Sequence, residues 1–120
     1  MNITPAKVSY YKKRLEEERK LVENQLRSLG QKDEVTGEWT ADSGDIDQSA
    51  TEPDELADRM EQQEENADEI AALQPRLQDI NDALEKIETG AYGVCEVGDE
   101  PIEEERLEVN PAARTCMKHL

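Results

Sequence analysis

Two stripes of apolar residues at helical spacing constrain this chain more than any other feature of its sequence. The first recurs at steps of three, four and seven residues, and the second at alternating steps of three and four. Their members are Val8, Tyr11, Leu15, Val22, Leu26 and Leu29, and then Ile70, Leu73, Leu77, Ile80, Leu84 and Ile87. Each helix alone would leave its stripe in water, so the stripes predict an antiparallel two-helix coiled-coil hairpin in a mainly α protein.

Start and stop signals predict where the two helices begin and end. Pro5 follows a hydroxyl residue that can act as an N-cap, and Gly30 ends the first stripe. The acidic segment Glu-Pro-Asp-Glu suits the N-terminus of the second helix. We therefore predict helices over 4–29 and 54–89, joined over 30–53 by an acidic loop with at most local turns.

One proline interrupts the second stripe. Pro75 removes a backbone hydrogen bond and crowds the preceding turn, which predicts a kink. The heptad phase continues through it, so we expect one helix. Gln63 and Asn66 occupy positions where the heptad favours apolar residues, so the hairpin should be less stable toward the loop.

The charge of the chain excludes several classes of partner. The chain has 120 residues, 37% of them charged, with no Phe and a formal net charge of −16. Phosphate backbones and anionic membranes both favour Lys and Arg, so this charge argues against nucleic-acid and membrane binding and favours a protein partner. The acidic excess is concentrated in residues 31–69, which hold fifteen acidic residues and two basic ones.

The sequence also lacks the signals of a membrane protein or an enzyme. No apolar run approaches the roughly 18 residues of a membrane span, and the N-terminus has no apolar signal-peptide region, so we expect a cytoplasmic protein. There is no Gly-rich phosphate loop, and the single histidine, His119, is a candidate metal ligand. We therefore expect no enzymatic activity.

The C-terminal segment contains metal-ligating residue types in an incomplete pattern. Cys95, Cys116 and His119 could bind zinc, but Gly98 stands where a second thiol would complete a C-x-x-C pair. Asp99 or a water molecule could supply the fourth ligand. In a reducing compartment, two cysteines beside a histidine are more often a metal site or free thiols than a disulfide.

The sequence also predicts the local structure around these ligands. We expect a short helix that is capped by Asn110 and begins at Pro111, which would place Cys116 and His119 on one face. The residues leave two states open, a zinc-bound finger and a metal-free finger packed around a small apolar core. The members of that core would be Val94, Ile102, Leu107 and Val109.

The C-terminal spacings resemble those of the TraR/DksA family, whose zinc finger reads Y-G-x-C-x-x-C-G-x-x-I, then R-L, then P, then C-x-x-C or C-x-x-H. The matching residues are Tyr92, Gly93, Cys95, Ile102, Arg106, Leu107, Pro111, Cys116 and His119. The family also has a long two-helix coiled coil before the finger. The resemblance therefore implies a coiled-coil arm over 1–90, a zinc-finger-like module over 91–120, and zinc as the cofactor.

The resemblance also implies a functional tip. The family motif D-x-x-D-x-A, counted back from the finger without gaps, falls on residues 52–57, where Glu52 and Glu55 replace the two aspartates and Ala57 is the small residue. Asp54 adds a third carboxylate. An alternative is that these acids only stabilise the start of a helix.

Proteins of this family bind bacterial RNA polymerase without binding DNA, by inserting the coiled-coil tip into the secondary channel. The resemblance implies the same for this chain, as a monomer. Family members that respond to guanosine tetraphosphate bind it with basic residues, and the corresponding positions here are Asp79, Asn110 and Leu120. None is basic, so we expect action without that nucleotide. Two alternatives are a module of this fold that is inactive on polymerase, and an acidic decoy that mimics nucleic acid.

Overall fold

A computed structural model describes residues 3–41 and 52–119, and helices dominate both ranges. The elements are α1 (Pro5–Leu29), β1 (Gly30–Lys32), β2 (Trp39–Ala41), α2 (Pro53–Thr89), α3 (Glu104–Val109) and a 3-10 turn over Met117–His119. The prediction of a mainly α chain, with a helical hairpin and a small C-terminal region, is confirmed. Among the helices of residues 3–41 and 52–119, none combines the length with the apolar composition that a membrane span requires.

Contacts divide the chain into two compact units. We call Met1–Leu21 with Arg76–Leu120 the finger unit, and Val22–Pro75 the connection unit. The sequence-based division at residue 90 follows the family motif, whereas compactness divides the chain within its two long helices. The reason is that α1 up to Leu21 and α2 from Arg76 onward pack with the C-terminal segment.

Each long helix begins at a proline, and the residue before that proline accepts a hydrogen bond from the first turn. The Thr4 hydroxyl accepts a hydrogen bond from the Lys7 amide at 3.2 Å, so it acts as the N-cap of α1. The carbonyl of Glu52 accepts from the amide of Leu56 at 2.9 Å and opens α2. α2 runs through Pro75 without a break, which confirms the expected single helix. The kink at this proline remains a prediction.

Within the finger unit, the segments of α1 and α2 run antiparallel. Lys12 pairs with Glu88 at 3.2 Å, whereas Glu18, further along α1, pairs with Arg76, which lies earlier in α2. The side chains between these pairs belong to the predicted stripes. Those that are buried here are Tyr11, Leu15, Ile80 and Leu84.

The connection unit contains a small β-hairpin where we predicted at most local turns, so that prediction is wrong for residues 30–41. β1 and β2 are antiparallel, with Gly30 opposite Ala41 and Lys32 opposite Trp39. A Cβ at Gly30 would lie 2.0 Å from the Thr40 carbonyl oxygen, so only glycine allows this close approach. Residues 42–51 of the predicted loop lie outside the described residues.

A side-chain-stabilised turn explains why this hairpin forms. One carboxylate oxygen of Asp33 accepts hydrogen bonds from the amides of Val35 at 2.7 Å and Thr36 at 3.1 Å. These bonds hold the pKa of Asp33 below its ordinary value. Gly37 has φ 77°, a left-handed conformation that favours glycine. The segment Asp-Glu-Val-Thr-Gly therefore encodes a specific turn, which reverses the chain.

Candidate functional site

A short loop around Cys95 forms the first half of the candidate metal centre. An antiparallel bridge between Val94 and Pro101 closes this loop. The Cys95 amide donates to the Glu100 carbonyl at 2.7 Å, and the Asp99 amide donates to the Cys95 carbonyl at 3.0 Å. Both ends of the loop are thus hydrogen-bonded around Cys95, whose side chain is fully buried.

The second half of the centre is the 3-10 turn at the C-terminus. The His119 amide donates to the Cys116 carbonyl at 3.0 Å, so both side chains lie on the same turn. Cys116 is fully buried, and His119 is partly exposed. This turn brings the two side chains together, with Nδ1 of His119 at 3.1 Å from the Cys116 sulfur.

The predicted short helix from Pro111 does not form. α3 ends at Val109, and Asn110 caps its C-terminus by donating its amide to the Arg106 carbonyl at 2.8 Å. The Asn110 side-chain oxygen then accepts from the Ala112 amide at 3.1 Å, which turns the chain instead of starting a helix. Asn110 is therefore a C-cap and not the predicted N-cap.

The three predicted zinc ligands lie close together. The Nδ1 atom of His119 is 3.4 Å from the Cys95 sulfur and 3.1 Å from the Cys116 sulfur. Among residues 3–41 and 52–119, these three form the Cys/His/carboxylate group that could hold a metal ion, with ligand atoms within 4.8 Å of one another. Tetrahedral zinc ligands at 2.0–2.3 Å from the ion are about 3.5 Å apart, so the donor set fits zinc.

The environments of the two thiols differ. Burial raises the pKa of the Cys95 thiol, but backbone N–H groups of Cys116, Gly98 and Val97 donate to the sulfur, and the net effect lowers the pKa to about 6. Burial and the neighbouring Cys95 sulfur raise the pKa of Cys116. Both cysteines are free thiols. The backbone N–H groups of the loop therefore favour the thiolate form of Cys95, which is the form that binds zinc.

Near the fourth ligand position of the candidate metal site, the structure places a carboxylate other than the predicted one. Asp99, the predicted candidate, is exposed and has φ 56°, so its backbone makes a left-handed turn. Glu100, which sequence analysis missed, brings Oε1 to 3.6 Å from Nδ1 of His119. In the sequence, the only indication of a role for Glu100 is its position next to Asp99, in a loop that also carries Cys95.

The apolar core of the finger holds most of the residues expected there. Ile102 and Leu107 are buried, and Val94 is half-buried. Val109 is 85% exposed, so its predicted place in this core is wrong. It lies two positions after Leu107 on a short helix, and that spacing turns it toward the opposite face.

Two of the three positions that the resemblance aligns with nucleotide-binding residues lie within the described part of the chain. Asp79 accepts a hydrogen bond from Arg114 at 2.7 Å, and the same guanidinium also contacts Asp82 and, at 3.0 Å, Glu96. The side-chain oxygen of Asn110 accepts from Arg76 at 2.8 Å. The third position, Leu120, lies outside the described residues.

The predicted tip residues lie at the start of α2 in the connection unit. The side chains of Glu52, Asp54, Glu55 and Ala57 are all exposed. Asp54 and Glu55 are in the first helical turn, where carboxylates interact favourably with the helix dipole. Leu56, between them, is half-buried. This turn therefore presents a cluster of carboxylates to solvent.

Comparisons with known proteins agree with this geometry. The family described as the prokaryotic dksA/traR C4-type zinc finger matches residues 90–118. The solved structure of transcription factor DksA2 from Pseudomonas aeruginosa is similar, with a TM-score of 0.67 and 25% identity, over 96% of this chain and 81% of that one. The chain departs from the C4 pattern, because it has Gly98 and His119 in place of two of the cysteines.

Two relatives extend the likeness beyond the finger. The chain is 38% identical over 112 residues to an uncharacterized protein of Aquifex aeolicus (strain VF5), covering 88% of this chain and 68% of the relative. It is 27% identical over 118 residues to the uncharacterized protein YteA of Bacillus subtilis (strain 168), covering 98% of this chain and 49% of YteA, so it spans about half of that protein. By its finger, its helical hairpin and these likenesses, the chain belongs to the DksA/TraR family.

Proposed function

We propose that this chain is a transcription regulator that binds bacterial RNA polymerase through the secondary channel, without binding DNA, and places the start of α2 near the active centre. The observation that carries this proposal is the likeness to the transcription factor DksA2 over 96% of the chain. The net charge of −16 supports it, because a positively lined channel attracts such a chain and DNA repels it.

The exposed carboxylates at the start of α2 supply the action. Glu52 and Glu55 take the positions of the two motif aspartates, Asp54 adds charge, and Ala57 leaves room for close approach. In a channel of low dielectric, a carboxylate changes the local potential far more than it does in water. The tip therefore acts by electrostatics and contact and requires no catalytic group of its own, in keeping with the expectation that the protein is not an enzyme.

The finger serves as the docking and folding element in this proposal. Cys95, Cys116 and His119 would hold zinc, which when bound crosslinks the Cys95 loop to the C-terminal turn. The chain's own contacts continue this link to the helices. The two carboxylate oxygens of Glu108 in α3 accept from the Tyr10 and Tyr11 hydroxyls of α1 at 2.9 and 3.0 Å.

We include in the proposal that the chain acts without guanosine tetraphosphate. A tetraphosphate needs unpaired basic groups, and the two guanidinium groups near the corresponding positions are already bound to carboxylates. Arg114 contacts Asp79, Asp82 and Glu96, and Arg76 donates to Glu18 at 2.7 Å. Addition of the nucleotide should leave the effect on polymerase unchanged, and a clear enhancement would contradict this part of the proposal.

The proposal also includes the oligomeric state and the cellular location of the active protein. A helical hairpin buries its apolar stripes within one chain, which favours a monomer as the active species. The polymerase partner implies the cytoplasm. Analytical ultracentrifugation of the purified chain, alone and mixed with polymerase core, would test both the monomer and the complex.

Competition for polymerase core is the direct test. A labelled secondary-channel factor is bound to core enzyme, and the parent chain or a variant is added. The tip variant is Glu52→Ala with Glu55→Ala, and the matched control is Glu61→Ala with Glu65→Ala. The control removes the same charge from exposed positions further along α2. All three chains should displace the label, but only the parent and the control should change the lifetime of open promoter complexes.

Other results identify the alternatives. Displacement with no effect of any chain on open complexes would indicate a module that has this fold but no activity on polymerase. Equal loss of binding in both double variants would indicate an acidic decoy that responds to total charge. No displacement by the parent at micromolar concentration would overturn the proposal.

A further inference from the structure

The backbone at Gly98 points toward the candidate metal centre. A Cβ atom built there would lie 2.5 Å from Oε1 of Glu100 and 2.6 Å from Cε1 of His119. A side chain at this position would therefore enter the space beside the histidine ring, where the C4 pattern places a thiol. In this chain, that space is filled by the carboxylate of Glu100.

The carboxylate of Glu100 lies beside one of the three donors, but it is outside the group whose ligand atoms are all within 4.8 Å of one another, so its side chain must turn toward the two sulfurs to bind the ion. Its Oε1 atom is 3.6 Å from Nδ1 of His119, which compares with 3.4 and 3.1 Å for the sulfurs of Cys95 and Cys116. The Glu100 side chain is 36% exposed, so it lies at the rim of the buried site. Carboxylate oxygens are ordinary zinc ligands at about 2.0–2.2 Å.

The backbone explains why residue 100, rather than residue 99, faces the site. Asp99 adopts φ 56° and donates its amide to the Cys95 carbonyl at 3.0 Å. The chain then returns, so that the Glu100 carbonyl accepts from the Cys95 amide at 2.7 Å. The left-handed turn leaves the Asp99 side chain exposed and directs the next side chain back toward His119.

The charge balance also suits a carboxylate here. Two thiolates and one carboxylate exceed the charge of a zinc ion by one. Lys118 brings Nζ to 3.6 Å from Oε2, the other oxygen of Glu100. A cation in this position can compensate the extra charge and orient the carboxylate, as outer partners of metal ligands commonly do.

We propose that Glu100 is the fourth zinc ligand of this chain and replaces the thiolate that is absent at Gly98. The site is then a closed tetrahedron of Cys95, Cys116, His119 and Glu100, with two sulfur, one nitrogen and one oxygen donor. A closed site is structural, because no open position is left for an activated water. This assignment of the zinc ligands does not depend on whether polymerase is the partner.

Metal titration of the purified, reduced chain tests this assignment. Zinc affinity is measured by competition with a chromogenic chelator, and cobalt is used as a spectroscopic probe of the ligand set. The key variant is Glu100→Ala. The matched control is Asp99→Asn, which removes a neighbouring carboxylate but keeps a residue that tolerates the left-handed turn. Circular dichroism confirms that each variant retains its helices.

The parent should bind one zinc ion per chain. Glu100→Ala should lower zinc affinity by at least about 10-fold and change the visible cobalt spectrum, whereas Asp99→Asn should leave both unchanged. The double variant Gly98→Cys with Glu100→Ala should recover at least part of the affinity and show a stronger sulfur-to-cobalt charge-transfer band, because a third thiolate enters the site once the His119 ring, 2.6 Å from the new Cβ, shifts aside.

Three results would overturn the assignment. The first is unchanged zinc affinity in Glu100→Ala, which would mean that the carboxylate is not a ligand. The second is an equal or larger loss in Asp99→Asn, which would return the fourth position to Asp99. The third is a parent chain that binds no zinc at micromolar metal, which would indicate a metal-free finger.

Discussion

The side-chain amide of Gln74 binds both backbone polar groups of Trp39. Its oxygen accepts from the Trp39 amide at 2.9 Å, and its nitrogen donates to the Trp39 carbonyl at 3.0 Å. Gln74 thus pairs with β2 as a neighbouring strand would. The two hydrogen bonds attach the β-hairpin to α2 within the connection unit. Trp39 is buried at this contact, with 6% of its surface exposed.

Replacement of Gln74 by Ala should release the hairpin from α2. Two hydrogen bonds to partly buried backbone groups are lost, so we expect the free energy of unfolding to fall by about 1–3 kcal/mol. Trp39 is the single tryptophan of the chain, so its fluorescence reports the change as a shift to longer wavelength. Gln62→Ala, at an exposed position of α2, should leave the emission unchanged. Equal spectra for both variants would contradict the role of Gln74.

The Tyr92 hydroxyl should stabilise the finger through one buried hydrogen bond. It donates to the Pro111 carbonyl at 2.7 Å. Tyr92→Phe removes only this oxygen and leaves the carbonyl without its partner, so we expect a loss of about 1–2 kcal/mol in urea unfolding. Tyr10→Phe is the comparison variant. It also removes a hydrogen bond, to the Glu108 carboxylate at 2.9 Å, but Tyr10 is 45% exposed, so water can replace the lost partner and the cost should be smaller. A larger loss in Tyr10→Phe would contradict the prediction.

The pH dependence of stability should include a contribution from Glu96. Its carboxylate accepts from Lys86 at 2.6 Å, and this bond, with Arg114 nearby, holds its pKa below the ordinary value. A carboxyl whose pKa is lowered by folding stabilises the fold above its unfolded pKa of about 4.3, and that stabilisation disappears as pH falls through the lower folded value.

The comparison of the parent with Glu96→Gln isolates this contribution. The free energy of unfolding should differ between the two chains at pH 7, and the difference should shrink as the pH falls below about 4. Glu61→Gln, at an exposed position of α2, supplies the control for total charge. A difference that stays constant down to low pH would show that Glu96 acts through packing and not through its charge.

Removal of zinc should destabilise the finger. A ligand that binds only the folded state, at a free concentration 100 times its dissociation constant, stabilises that state by about 2.7 kcal/mol. A chelator should therefore lower the thermal unfolding midpoint of the zinc-loaded parent. The midpoint of Cys116→Ser should already be lower and should respond little to the chelator. An equal response in both chains would show that the chelator acts elsewhere.

The helical hairpin was predictable because its signal is local and repeated. A stripe such as Tyr11 and Leu15 in α1, or Ile80 and Leu84 in α2, appears in the sequence at the period of the helix and becomes buried in the fold. Polar caps and prolines also mark helix starts by short-range chemistry. The cap at Asn110 was misassigned because asparagine suits both ends of a helix, and only the preceding Arg106 carbonyl decides which end it closes.

The β-hairpin was missed for a different reason. Each strand has only three residues, too few to show an alternating pattern. The hydrogen bonds that hold it come from the Asp33 turn and from Gln74, which lies 35 residues from Trp39 in the chain. A contact over that distance has no periodic trace in the sequence, so the tertiary structure alone reveals it.

The candidate metal centre likewise has features that the sequence predicts and one that only the tertiary structure reveals. The sequence by itself determined the ligand types and the absent thiol, because Cys95, Gly98, Cys116 and His119 are visible as letters at family spacings. Only the tertiary structure decided which carboxylate lies beside His119. Asp99 and Glu100 are adjacent and chemically alike, and a single left-handed backbone angle leaves one exposed and directs the other to the site. Side-chain direction in a turn depends on backbone conformation, which residue identity alone does not specify.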